Sequence, residues 1–293
     1  MNIDDIVVCP KCSGALKKNA DKYHCTKCEA KYKTIEGIPV LIDYDKIPKH
    51  LIQQIEYFSN ESKDLGADYK IEPWQKSYVD SFVANTNIKK KKSALIIDCG
   101  TGTGYIAIEL AKLGYNVLAT DLTLDYLIRL NHNAKVLGLN DKIMTLCCNA
   151  QSLPIKDRAA DYFVSNAVLE HLPEDVKAAK ELTRVVTDDG QIMVTVPHKL
   201  KYISPLLWLV NIIHDKRIGH LRRYDFETLS ELFNNFDPIT TIYKGHTAKV
   251  FLVLLNMIFK NIDKEKIEHI DEKNNNKKIG ANNITMFFKK KSF

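Results

Sequence analysis

A doubly wound α/β sheet with a small cysteine-bound module ahead of it is the fold that the sequence predicts, on three observations. From residue 93 onward, apolar strand-like runs alternate with helical patterns, as parallel α/β domains require. The first of these runs passes directly into a glycine-rich turn, Asp98-Cys-Gly100-Thr-Gly102-Thr-Gly104, that opens a helix. Four of the seven cysteines lie within the first 28 residues as two Cys-x-x-Cys pairs. The 293 residues, 45% of them hydrophobic, suffice for one such domain and one accessory module.

Cys9-Pro-Lys-Cys12 and Cys25-Thr-Lys-Cys28 are separated by twelve residues. Each pair makes a knuckle that offers two thiolates from one side, and two knuckles together close the tetrahedral sulfur cage that zinc prefers. Two disulfides or four free thiols are the competing readings, and a reducing compartment disfavours the disulfides. Four thiolates leave no open coordination position, so zinc on Cys9, Cys12, Cys25 and Cys28 is expected to be structural. The module is expected to span 1–45, to close on the apolar run at 38–42 and to keep a core separate from the main domain. Helical patterns punctuated by Gly66 and Pro73 fill 46–92, which reads as a bridge and an N-terminal cover for the domain that follows.

Within 93–293 the apolar runs place strands at 94–97, 117–120, 143–148, 162–165 and 191–196. Helices are expected at 105–113, ended by Gly114, and at 124–137, stopped before Gly138. A third helix carries Val176, Ala179, Leu182 and Val185 at helical spacing. An apolar insertion at about 199–224 interrupts the alternation. A helix at 226–236, a strand at 239–243, a second apolar helix at 249–259, an Asn/Lys-rich loop and a last strand at 284–288 complete the chain. A dinucleotide fingerprint, G-x-G-x-x-G counted from Gly100 and Gly102, would need glycine where Tyr105 stands, which argues against a pyrophosphate ligand.

The segment from 93 to 198 resembles the class I S-adenosylmethionine-dependent methyltransferases, most closely the group that includes the quinone-biosynthesis enzymes. The resemblance implies a Rossmann-like methyltransferase sheet and S-adenosylmethionine as cofactor. It places Asp98, Gly100, Gly102 and Gly104 at the methionine part of the cofactor. Asp121, at the end of the second strand, would accept both ribose hydroxyls, a role that suits an acceptor-only carboxylate. Asn149-Ala150 stands where the family usually has Asp-Ala, beside the adenine, and an Asn oxygen can still accept that hydrogen bond. The loop Asp161-Tyr-Phe-Val-Ser-Asn166-Ala-Val-Leu-Glu170-His171-Leu-Pro173 would lie by the methyl group, with Asn166 and Glu170 as contacts and His171 as a base or a structural histidine. It lacks the Asn/Asp-Pro-Pro-aromatic sequence of relatives that methylate nucleobase amines or the glutamine amide. The first 45 residues resemble the zinc-ribbon activators of tRNA methyltransferases and the modules fused to some ribosomal-RNA methyltransferases.

The insertion carries the apolar stretch 203–213 and then Gly219-His220-Leu-Arg-Arg-Tyr224, a run similar to one in diverse family members; it marks His220 and Tyr224 as acceptor-pocket residues. Its apolar part, 206–213, reads equally as a buried helix packed on the sheet or as a lipid-facing lid, and as a mobile cover it would close the pocket with Tyr202 and Trp208. At 203–213, interrupted by Ser204, Pro205 and Asn211, it is too short to span a bilayer. Flanking Lys199, Lys201, Lys216 and Arg217 suit peripheral membrane contact as well as ordinary helix ends. Asp4 and Asp5 without a following apolar stretch do not make a signal peptide, so a cytoplasmic protein is expected. The net charge of +6 permits nucleic acid or anionic membrane without requiring either. Three functions follow: methyl transfer to a small-molecule or lipid-like acceptor, methylation of RNA or a translation component with the ribbon as RNA or protein contact, and a non-catalytic cofactor-binding scaffold.

Overall fold

The computed structural model describes residues 2–66, 68–259 and 262–291, the side chains of 257–259 excepted. The long apolar runs become the buried centre of one sheet. Strands β5 (Leu95–Cys99), β6 (Asn116–Asp121), β7 (Ile143–Cys147), β8 (Ala160–Asn166) and β9 (Val186–Pro197) pair in parallel. Every residue of β5 is buried, as a parallel strand covered on both faces must be. The final pair, β10 (Phe236–His246) and β11 (Ala281–Lys290), runs antiparallel, with β11 inserted between β9 and β10.

Four short strands, β1 (Leu16–Asn19), β2 (Lys22–Cys25), β3 (Lys31–Ile35) and β4 (Ile38–Val40), form an antiparallel meander at the other edge. The sheet therefore has eleven strands in the order β1-β2-β3-β4-β7-β6-β5-β8-β9-β11-β10. The meander is not a separate body. Val40 pairs in parallel with Cys147, and Val7 bridges Ile155. Val7, Cys9, Tyr23, Cys25 and Leu41 share one buried cluster with Leu95, Ile97, Leu146 and Phe163. The expectation of separate cores is thus corrected: the strand that closes the cysteine module completes the edge of the central sheet.

Helices α1 (Lys49–Lys63), α2 (Pro73–Asn85), α3 (Tyr105–Lys112), α4 (Leu124–Val136) and α5 (Asp175–Arg184) flank the parallel strands. In α5 the buried stripe is Ala178, Ala179 and Leu182; Val176, expected on it, is exposed because it falls to one side of the 178–182 line. The insertion forms α6 (Trp208–Ile218), and α7 (Phe226–Leu232) is shorter than expected, since the chain is already extended at Phe236. After α8 (Thr247–Phe259) the Asn/Lys-rich stretch contains a helix the sequence did not announce, α9 (Lys264–Glu272). Among the described residues no helix is long and apolar enough to cross a membrane.

Chain order runs from β5 outward to β6 and β7 on one side and to β8 and β9 on the other. The connections leaving β5 and β8 diverge and open a crevice at the carboxyl ends of the strands, where open α/β sheets hold their ligands.

Candidate active site

A cavity of about 630 Å³ occupies that crevice. Its floor is the turn after β5, with Gly100 and Gly102 at positive φ. A Cβ on Gly100 would come within 2.3 Å of Val168, whereas one on Gly102 would meet no protein atom and project into open space. The turn therefore brings backbone, rather than side chains, to the cavity wall. Asp121 closes β6 beside it. Its Oδ2 accepts from the Gly102 N–H at 2.9 Å and its Oδ1 from the Thr123 N–H at 2.8 Å, leaving a further lone pair on each oxygen. Burial raises its pKa, and the N–H groups of Thr123 and Gly102 work against that rise. Asn149 and Ala150 follow β7 on the same wall; Asn149 Oδ1 accepts from the Gln151 N–H at 2.9 Å. Asn166, at the end of β8, donates to the Tyr105 hydroxyl at 2.7 Å and keeps a buried Oδ1 without a partner.

At the far end the wall is made by Glu170, His171, His214, Arg217 and His220, with Leu51 and Phe58 of α1, whereas Trp74 of α2 lies by the turn, 5.8 Å from the Tyr105 ring. Glu170 is fully buried and neither carboxylate oxygen has a hydrogen-bond partner. Burial pushes its pKa up to about 8, with Arg223 opposing. His171 packs edge-on against Phe58 and His220, at ring separations of 5.4 and 4.7 Å. Burial and then the neighbouring His220 and His50 push its pKa down to about 3, so the ring is neutral and a weak base. His220 is held differently. Its Nδ1 lies 2.8 Å from Asp215 Oδ1, and Asp215 is clamped by Arg223 at 2.6 and 2.8 Å. A carboxylate on Nδ1 selects the tautomer that leaves Nε2 as acceptor, and Nε2 lies 3.7 Å from Glu170 Oε1 at the cavity wall.

Residues 97–194 match the family described as Methyltransferase domain, Methyltransf_11. An uncharacterized protein of Haemophilus influenzae is 32% identical over 127 residues, 42% of this chain and 50% of the relative. A Mycobacterium tuberculosis protein named "Probable S-adenosylmethionine-dependent methyltransferase MT3114" is 24% identical over 124 residues, 42% of this chain and 43% of the relative. The chain thus spans about half the length of the curated relatives it matches. Among solved structures, geranyl diphosphate C-methyltransferase from Streptomyces coelicolor A3(2) is similar with a TM-score of 0.62 at 13% identity, over 83% of this chain and 99% of that one. The MccD protein gives 0.57 at 16%, over 76% and 100%. These two likenesses are of fold.

Residues 97–194 are thus similar to methyltransferase domains, within a fold of the same Rossmann-like kind.

Of the residues expected at the methyltransferase cofactor site, Gly100, Gly102, Asp121, Asn149, Ala150 and Asn166 all line the cavity. Asp98 and Gly104 do not. Asp98 lies buried beneath the turn, where it accepts from the Thr101 hydroxyl at 2.6 Å; burial pushes its pKa up to about 7. Gly104 caps α3 and packs against Leu130. Both shape the turn from behind instead of facing its contents. His171 and His220 line the far end of the cavity, but Tyr224 faces away: it is buried, and its hydroxyl donates to Asp175 Oδ2 at 2.9 Å, with the Leu169 carbonyl a second acceptor within reach at 3.2 Å. It props the 169–171 turn that presents Glu170 and His171. The expected lid residues Tyr202 and Trp208 also lie outside the cavity; Tyr202 stacks on His198 and Trp208 donates to the Ile203 carbonyl at 3.0 Å. The reading of this stretch as a buried helix is likewise corrected, since α6 has no buried residue. Sequence reasoning missed Asp215 and Arg223, which hold His220, although His220 follows Asp215 by five residues across the Gly219 turn.

Glu170 and Asp98 give the domain a pH dependence with a definite sign. Each has a folded pKa above the unfolded carboxylate value, so near neutrality the folded chain keeps a proton that the unfolded chain has released. Their contribution is complete below about pH 4 and is lost as pH rises toward about 8. Glu170→Gln removes the Glu170 share, so its melting temperature should fall less steeply than that of the unaltered chain between about pH 5 and 8. Parallel slopes would contradict the assignment.

The four Sγ atoms of Cys9, Cys12, Cys25 and Cys28 all lie within 4.8 Å of one another. Cys9 and Cys28 are 3.7 Å apart and Cys12 and Cys25 3.4 Å, too long for a disulfide and close to the roughly 3.8 Å sulfur separation of a tetrahedral Zn–S₄ cage. The Lys27 and Cys28 N–H groups both point at Cys25 Sγ at 3.4 Å, the outer-shell support a thiolate needs.

Proposed function

We propose that this protein transfers the methyl group of S-adenosylmethionine to a small-molecule or lipid-like acceptor held beneath α6, and that the cysteine cluster carries one structural zinc. The observation that carries the reading is a single cavity joining two chemically distinct ends: the Gly100–Gly102 turn with Asp121 at one, and His220 on its Asp215 support at the other. The unpartnered Asn166 oxygen and the open space above Gly102 fit a ligand bound across the turn. Asp121 would hold the ribose, Asn149 and Ala150 the adenine, and the Gly100–Gly102 backbone with Asn166 the methionine part. Bound there, the sulfonium supplies an electrophilic methyl group.

The protein's own work is to align and to dry. Leu51, Phe58 and Ile218 enclose the acceptor end with apolar surface that excludes water. Alignment alone supplies much of the rate for so reactive a donor. Where the acceptor is a hydroxyl, its proton passes to His220 Nε2, and the resulting imidazolium is stabilised by Asp215. His171, neutral and crowded by other imidazoles, orients the acceptor rather than taking the proton. His220→Gln should therefore lower kcat by about a hundredfold or more while leaving cofactor affinity in place, and His171→Gln should do less. Equal effects, or a loss confined to cofactor binding, would contradict the roles.

The reading is tested by incubating the protein with methyl-labelled S-adenosylmethionine and a total cell extract. Label is expected in the organic-soluble or small-molecule fraction, and absent with His220→Gln if the acceptor is a hydroxyl. Label in RNA or protein would instead favour the translation-component reading, which draws on the cysteine module and the basic balance.

A further inference from the structure

Helix α6 is amphipathic in the reverse of the usual sense. Its inward residues are mostly polar: Asn211 donates to Asn282 Oδ1 at 3.2 Å and accepts from Arg223 at 2.8 Å, Asp215 holds His220 and Arg223, and His214 lines the cavity. The outward side is aliphatic. Leu206 just ahead of the helix is 77% exposed, Leu209 68%, Val210 62% and Ile213 58%. A helix that serves only its own domain buries the apolar stripe and shows the polar one, so this stripe calls for an apolar cover from outside.

Helix α8 leaves the same end of the sheet and also exposes apolar side chains, Phe251 at 43% and Leu254 at 48%. Asn282 ties the two together, accepting from Asn211 of α6 and donating to the Gly245 carbonyl, two residues before α8, at 2.8 Å. Cations border the stripe. Lys216 and Arg217 stand exposed at the end of α6, while Lys201, ahead of the stripe, is already paired with Asp225 at 3.2 Å. The outer positions 206, 209, 210, 213 and 216 include no acid. A second copy meeting this face across a twofold axis would set its cations against cations, since the same patch is presented from both sides. An anionic bilayer supplies both missing partners, acyl chains for the aliphatic side chains and phosphates for the flanking bases.

We propose that the outer face of α6, with α8, docks this protein on the surface of an anionic lipid bilayer. Leu206, Leu209, Val210 and Ile213 enter the headgroup–acyl boundary while Lys216 remains at phosphate level. His214, Arg217 and Ile218 at the C-terminal end of the same helix line the cavity, so docking sets that end of the cavity close to the lipid. The proposal does not depend on methyl transfer, and the test needs no turnover.

The test is co-sedimentation of the full chain with vesicles of phosphatidylcholine alone and of phosphatidylcholine mixed with phosphatidylglycerol. Binding is expected to the mixed vesicles, weaker binding to phosphatidylcholine, and partial release by salt. The double variant Leu209→Glu, Ile213→Glu should lower partitioning at least about tenfold with an unchanged melting temperature, because both side chains are exposed. Val210→Glu alone should act in the same direction. Failure to bind either vesicle, equal binding by the unaltered chain and the double variant, or a dimer in solution that the double variant dissociates would each overturn the proposal.

Discussion

Asp121→Ala is expected to lower the affinity for S-adenosylmethionine by roughly a hundredfold in a calorimetric titration. Each ribose hydroxyl would donate to a carboxylate oxygen that already accepts one backbone N–H, and a hydrogen bond to a charged group is worth about 1.5–3 kcal/mol. Losing two such bonds therefore costs about two orders of magnitude at the lower end of that range and about four at the upper. Part of the loss is indirect, because Asp121 also fixes the Gly102 N–H and so the shape of the turn. Asp121→Asn separates the two contributions: it keeps one acceptor oxygen and should fall between the unaltered chain and the alanine variant. An alanine variant that binds as well as the unaltered chain would remove Asp121 from the site.

Removing zinc is expected to do more than unfold a small appendage. The binding free energy of a structural zinc is folding free energy, about 10–16 kcal/mol in isolated zinc-finger peptides. Here Cys9 and Cys25 are buried in the same cluster as β5 and β8, and β4 lies on the edge of β7. Chelation should release β1 to β4, uncover that edge and lower the melting temperature of the whole domain by about 10 °C, the equivalent of a few kcal/mol for a chain of this size. Cys25→Ser should reproduce the effect. Metal analysis should find one zinc per chain after anaerobic purification. A melting temperature indifferent to chelator, with no metal present, would contradict both the zinc and its share in the common core.

What could be read from the sequence follows from where the physical signal is local. The parallel strands announce themselves as apolar runs because both faces are covered, and the glycine turn is legible because the site needs backbone, not side chains, at the ligand. The place of Asp121 on the cavity wall followed from the family resemblance at the end of the second strand. The residues that went astray depend on non-local packing. Tyr224 stands four residues after His220 in a loop, where no periodicity says which of two neighbours faces a cavity; Asp175 and the Leu169 carbonyl, far away in sequence, decide it. Asp98 borders the turn in sequence but lies beneath it in space. Helix α9 has few apolar residues, and much of what holds it is Asp271, which accepts from the His246 ring and from the backbone of Gly245 and His246. The union of the cysteine module with the main sheet rests on the contacts of Val40 and Val7 with Cys147 and Ile155, and single short pairings of this kind leave no pattern in sequence.

The central claim is that one cavity holds S-adenosylmethionine across the glycine turn with its methyl group directed toward His220. A crystal structure with S-adenosylhomocysteine tests it most directly. The account predicts the ribose hydroxyls on Asp121, the adenine beside Asn149 and Ala150, and the sulfur on the side of the cavity that leads to Glu170 and His220. A ligand bound elsewhere, or one whose sulfur points away from His220, would contradict it.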